Sequence, residues 1–159
     1  MSELTYQDFS RKFGYSLLPA VLFFVVSLPE VYNTTDKLGS RLGKSVDRLG
    51  FSTADDSCPT STGKFIHSLV FFLLVWALMK FTRSADTSSH KSNGLLAKYA
   101  FYSTLLFFLV SSTDAYNVTS RLVDGLTNTP GCPTMKGAFV HGLVFLVAVT
   151  LVMYFPKDQ

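Results

Sequence analysis

The sequence predicts an all-α membrane protein of four transmembrane helices, built from two duplicated helical hairpins in parallel repeat with an amphipathic loop helix in the first. Three observations predict it. Only 16% of the 159 residues are charged, where an average soluble domain carries about 25%. The apolar residues gather in four blocks, 13–29, 65–79, 99–113 and 137–155, none of which contains Asp, Glu, Lys or Arg. Finally, one long phrase of the chain occurs twice.

These blocks divide the chain into a first hairpin over 1–84 with spans at about 13–29 and 65–81, a linker over 85–97, and a second hairpin over 98–159 with spans at about 99–113 and 137–155. Four spans need roughly 80 residues at ~20 each, which leaves no room for a separate soluble catalytic domain. A soluble enzyme is therefore not expected. Nucleic acid is not expected as a partner either, since the net charge is only +3 and no basic stripe is interleaved with aromatics.

Arg11 and Lys12 precede the first block as they would in a secretory signal. No small-x-small cleavage site follows, so the block is expected to be a retained span. Pro19 is placed in its first turns, and Pro29 should bend or stop it. Beyond it, Val31, Leu38, Leu42, Val46 and Leu49 alternate with Asp36, Lys37, Arg41, Lys44, Asp47 and Arg48. That pattern predicts an amphipathic helix at the membrane interface or against a partner, with Arg41, Lys44, Asp47 and Arg48 as candidate contacts. Gly39, Gly43 and Gly50 weaken it, and a partly ordered loop is the alternative.

Pro59 and Pro133 each follow Cys and precede Thr, and a proline suits the first helical position. The second and fourth spans are expected to start there. Between the hairpins, 83–94 is rich in Ser, Thr, Asp, His and Asn and reads as a linker. The charge excess falls here, where Lys80, Arg83, Lys91 and Lys98 face only Asp86. By the positive-inside tendency this segment and both termini are cytosolic, and the other two loops lie across the membrane.

The repeat has two registers. Cys58-Pro-Thr-x-x-Gly63-x-Phe65-x-His67-x-Leu69-Val70-Phe71 recurs at an offset of 74 as Cys132-Pro-Thr-x-x-Gly137-x-Phe139-x-His141-x-Leu143-Val144-Phe145, and half of the 24 positions aligned in this register are identical. Upstream, Leu22, Phe23, Phe24, Val26, Ser27, Tyr32, Asn33, Thr35 and Leu38 match the residues 84 positions later. Ten extra residues therefore sit in the first loop. Two copies that enter the membrane in the same direction should be related by a pseudo-two-fold axis along its normal.

Cys58, His67, Cys132 and His141 have the most chemistry to offer. As a zinc site they fail on distance, because nine residues of helix put Cys and His about 13 Å apart along the axis, and one ion holds its ligands at about 2.0–2.3 Å. No metal, cofactor or catalytic group is expected. The cysteines occupy equivalent places at the non-cytosolic ends of their helices, which fits either a disulfide joining the hairpins or two free, partly buried thiols. His67 and His141 lie a turn or two inside their spans. No span carries Asp or Glu to complete a proton relay, so a neutral imidazole bonding a neighbouring carbonyl, serine or threonine is the expected role, with a functional polar site as the alternative.

Phe23 and Phe107 read as a lipid-facing or bundle-packing stripe, and Ala138 with Gly142 as a weak close-contact pair. Asn33-Thr34-Thr35 and Asn117-Val118-Thr119 fit the glycosylation pattern. Both lie within a few residues of the membrane surface, where occupancy is not expected, and helix-end capping by Asn is the other explanation.

The repeated phrase of apolar run, Ser, Tyr-Asn-x-Thr, then Cys-Pro-Thr-x-x-Gly-x-Phe-x-His-x-Leu-Val-Phe resembles small hydrophobic proteins encoded by large icosahedral double-stranded DNA viruses of the phycodnavirus and iridovirus kind. It covers both copies, each ending in His-x-x-Val-Phe at His67 to Phe71 and His141 to Phe145. The resemblance implies a minor-capsid-associated protein of the membrane beneath the capsid, tying shell to bilayer. Its partners would be lipid, other virion or capsid proteins, or further copies of itself. A small four-helix transporter or channel with the histidine pair near the axis is the alternative function.

Overall fold

A chain in hydrocarbon must satisfy its own backbone N–H and C=O groups, and helices do so within one segment. The computed structural model describes residues 2–42, 54–55, 58–85, 93–128 and 131–154. Among these are six helices: α1 (Ser2–Val26), α2 (Pro29–Leu42), α3 (Ser61–Ala85), α4 (Asn93–Val110), α5 (Thr113–Ser120) and α6 (Met135–Val152). Three are long and apolar enough to cross a membrane, α3 over Ser61–Thr82, α4 and α6. A fourth crossing is completed if Lys12–Val26 and Pro29–Gly39 count as one span bent by 61°. The fold is thus an all-α bundle consistent with a multi-span membrane protein.

Several boundaries differ from expectation. The first and third spans, placed at 13–29 and 99–113, stop short at Val26 and Val110, and the chain turns and restarts as α2 and α5. Pro29 both stops α1, with a bend of 61°, as expected of it, and opens α2, because its missing N–H is one the first turn does not use. Pro19 lies deep inside α1, which begins at Ser2, and not in its first turns. Within the expected linker, α4 already runs from Asn93. Of the amphipathic loop helix, α2 forms the part ending at Leu42; Lys44, Asp47 and Arg48 lie outside the described residues, and Arg41 stands in the last turn of α2.

Pro59 and Pro133 do not start helices. Pro59 pairs with Ala54, and Cys58 with Asp55, in a two-residue antiparallel ladder of β1 (Ala54–Asp55) with β2 (Cys58–Pro59). Pro133 forms an isolated bridge with Thr127. The following threonine is what opens each helix. Thr60 Oγ1 accepts the N–H of Gly63 at 2.9 Å, and Thr134 Oγ1 accepts that of Gly137 at 2.9 Å. This is the N-cap bond to the third helical residue, and it explains the Thr-x-x-Gly spacing. Glycine is needed at the second of these sites because a Cβ on Gly137 would run into the carbonyl of Leu126.

Four phenylalanines, one from each long helix, fill the middle of the bundle: Phe23, Phe71, Phe107 and Phe145 are all fully buried. Phe23 stacks on Phe145 with ring centroids 4.7 Å apart, and Phe71 stacks on Phe107 at 4.6 Å. The edge-to-face contacts Phe23–Phe107 at 5.3 Å and Phe71–Phe145 at 5.7 Å close the square. Both geometries are the ones aromatic quadrupoles favour. The most extensive helix packing is α3 on α4 and α1 on α6, while α1 with α3 and α4 with α6 touch less. Gly142 supports the α1–α6 contact, where its Cα faces Phe23 and Phe24.

The outer faces are apolar. Val21, Val25, Phe65, Leu69, Leu73, Phe101, Leu105, Leu109, Phe139, Leu143, Val147 and Leu151 are exposed along the four long helices, an apolar mantle far larger than a soluble monomer shows and suited to lipid.

Candidate functional site

Where α1 and α4 break, their last carbonyls lose the donors a continuing helix would supply. Ser27 N–H reaches Phe23 O and Ser111 N–H reaches Phe107 O, each at 2.9 Å. The carbonyls of Val26 and Val110 are taken by the two histidines. His67 Nδ1 lies 3.0 Å from Val26 O, and His141 Nδ1 lies 2.7 Å from Val110 O. A carbonyl only accepts, so in each ring Nδ1 carries the proton. The histidines therefore cap broken helices from a neighbouring element, at a depth where no water need be available to do so.

Each imidazole is also covered by a tyrosine. Tyr32 of α2 stacks on His67 with centroids 3.8 Å apart and planes 6° off parallel; Tyr116 of α5 stacks on His141 at 3.8 Å and 11°. Tyr32 and Tyr116 are 2% and 1% exposed. Burial pushes the Tyr116 phenol above its ordinary range, so it stays neutral.

The two sites differ in one bond. His141 Nε2 sits 2.7 Å from Thr119 Oγ1. In the neutral ring Thr119 donates its hydroxyl proton to Nε2, in place of the alternative acceptor Ala115 O at 2.9 Å. His67 Nε2, though buried, has no partner among the described residues. Thr35 Oγ1 donates instead to Val31 O at 2.8 Å. Ser27 Oγ, Ser111 Oγ and the Tyr116 hydroxyl are likewise buried without a partner among the described residues. A polar layer of Ser27, Tyr32, His67, Ser111, Tyr116 and His141 thus lies between the phenylalanine square and the end of the bundle that carries the cysteines.

Cys58 and Cys132 form a disulfide with Cα atoms 5.0 Å apart. Close by in sequence, Lys64 is 8% exposed and its Nζ donates to Thr113 Oγ1 at the head of α5. Gly131, with φ of +84°, presses against the same threonine, whose Cγ2 occupies the place of a Cβ. These contacts hold the loop ends together across the bundle.

Asn33 and Asn117 do not cap helices; both lie inside helices, α2 and α5, and are half-buried. The cap of α5 is Ser112, whose hydroxyl accepts from Ala115 N–H at 3.1 Å. Among the described residues no group of three or more His, Cys, Asp or Glu is placed to hold a metal ion. Reasoning from sequence missed the tyrosines as partners of the histidines. Their signal was present, since Tyr32 and Tyr116 repeat in register with the adjacent asparagines. No family model, curated protein or solved structure matches the chain.

Proposed function

We propose that the chain is a structural, non-catalytic membrane protein: a sealed bundle of four spans, evolved by duplication of one hairpin, that anchors partner proteins to a bilayer. The observation that carries this is the phenylalanine square, whose rings occupy the axis a pore would need. Hydrophobic side chains packed at van der Waals distance leave no wetted path for an ion. The histidines support the same view, because their Nδ1 atoms are committed to backbone carbonyls and are not offered to a solute.

Duplication is supported by the way corresponding residues make corresponding contacts. Phe23–Phe145 maps onto Phe107–Phe71, His67 with Tyr32 and Val26 maps onto His141 with Tyr116 and Val110, and the disulfide joins equivalent cysteines. The resemblance to small virion proteins supplies the setting: the inner membrane of a large icosahedral virus, with the loops at the disulfide end meeting capsid or minor capsid proteins. Particles purified from the source and extracted with mild detergent test it by mass spectrometry. Recovery in fixed ratio with the shell is expected; recovery from ordinary cell membranes alone would refute the viral setting. A solute flux through reconstituted vesicles that His67→Leu with His141→Leu abolishes would refute the structural role.

A further inference from the structure

The end of the bundle opposite the disulfide carries a pattern the structural role does not use. Lys12 of α1 holds its Nζ 3.9 Å above the ring centroid of Tyr154, just beyond α6. Lys80 of α3 stands 4.5 Å over Trp76, and Lys98 of α4 stands 6.0 Å over Tyr102. Three of the long helices, with Tyr154 just past the end of the fourth, therefore contribute to one layer of ammonium groups set on aromatic rings. Its depth follows from the helix ends, since Lys12 lies at the start of the apolar part of α1, Lys80 near the end of α3 and Lys98 near the start of α4. Trp and Tyr settle at the headgroup level of a bilayer, and lysine stems extend their charge into the phosphate zone.

Charge sets this end apart from the other. The stretch from Lys80 to Lys98 adds Arg83 and Lys91 against the single Asp86. At the disulfide end the five acidic residues of 30–64 are matched by five basic ones, and Asp114 and Asp124 by Arg121 and Lys136. A balanced end has no net pull on an anionic surface, whereas each lysine near such a surface is attracted to it.

We propose that the Lys12, Lys80 and Lys98 end is a binding surface for anionic phospholipid, selecting the leaflet whose phosphates are not offset by a headgroup cation. Trp76 is the chain's one tryptophan, and it lies under Lys80, so its fluorescence reports on this layer alone. The full chain is reconstituted in phosphatidylcholine vesicles containing phosphatidylglycerol, with one or the other lipid brominated on its acyl chains close to the headgroup. Brominated phosphatidylglycerol is expected to quench Trp76 with an apparent preference of about fivefold or more, a factor of about five corresponding to one lysine near an anionic surface. High salt should reduce that preference. Lys80→Gln should weaken it, and Lys12→Gln, Lys80→Gln and Lys98→Gln together should abolish it. Replacing the same three by Arg should keep it, as should Arg121→Gln with Lys136→Gln at the other end. Equal quenching by both lipids in the parent, a preference that survives the triple glutamine variant, or one lost in the Arg121 and Lys136 variant would each overturn the proposal.

Discussion

His141 Nδ1 lies 2.7 Å from the carbonyl oxygen of Val110, at the turn where α4 stops and the chain folds away into α5. A break of this kind inside an apolar bundle strands a carbonyl, and an unsatisfied backbone group costs several kcal/mol in hydrocarbon. The imidazole removes that cost. His67 does the same for Val26 at 3.0 Å.

Substituting the histidines should therefore destabilise the fold unequally. His141→Phe strands the Val110 carbonyl and loses the Thr119 bond, and should cost about 3 kcal/mol; His67→Phe strands only the Val26 carbonyl and should cost about 2 kcal/mol. Thr119→Val should cost more than Thr35→Val, whose hydroxyl bonds its own helix. Unfolding in mixed detergent micelles, followed by far-UV circular dichroism, measures all four.

The aromatic centre should be the most sensitive part of the core. Phe71→Ala or Phe145→Ala removes a fully buried ring with two ring contacts and should cost about 3–5 kcal/mol. Phe65→Ala, at 59% exposure on the outer face, should change stability by no more than about 0.5 kcal/mol. The same unfolding assay gives the comparison.

The disulfide closes a loop with a sequence separation of 74. By chain entropy, breaking it with Cys58→Ser should remove about 4 kcal/mol. A specific protease site placed in the segment 86–92 gives a direct check of connectivity. After cleavage the two halves should migrate together on a non-reducing gel and separately once reduced.

Glycine substitutions should have opposite signs at two helical sites. Gly137→Ala drives a methyl into the Leu126 carbonyl and should destabilise by about 1–3 kcal/mol. A Cβ at Gly39 meets nothing within 4 Å, so Gly39→Ala should stabilise by up to about 1 kcal/mol through helix propensity alone. Thermal midpoints in detergent decide the signs.

The long apolar helices were legible in the sequence because hydrocarbon imposes length and composition on any span. Of the two breaks, only the first was signalled, by Pro29. Ser27-Leu28-Pro29 and Ser111-Ser112-Thr113 are apolar or weakly polar and close their blocks, and the first charges, Glu30 and Asp114, come only after the turn. What permits them is tertiary: a histidine from another helix that arrives to take the freed carbonyl. The same holds for the helix starts. Proline invites a start at Pro59 and Pro133, but short backbone pairing keeps both prolines outside and gives the cap to the threonines. The pairing of Cys58 with Cys132 depended on how the helices cross, which a repeat offset does not specify.

The way the long helices pair also bears on how the protein is made. Because α1 packs chiefly on α6 and α3 on α4, α3 finds its main neighbour as soon as α4 follows it, whereas α1 finds its own only after the last long helix has left the ribosome. Until then Phe107 is the one ring of the square from the later half that Phe23 and Phe71 can meet, and the place of Phe145 stays open. The inward face of α1 must wait in the bilayer, exposed to chaperones and quality control, and the interior closes in two steps, α3 on α4 first and α1 on α6 last.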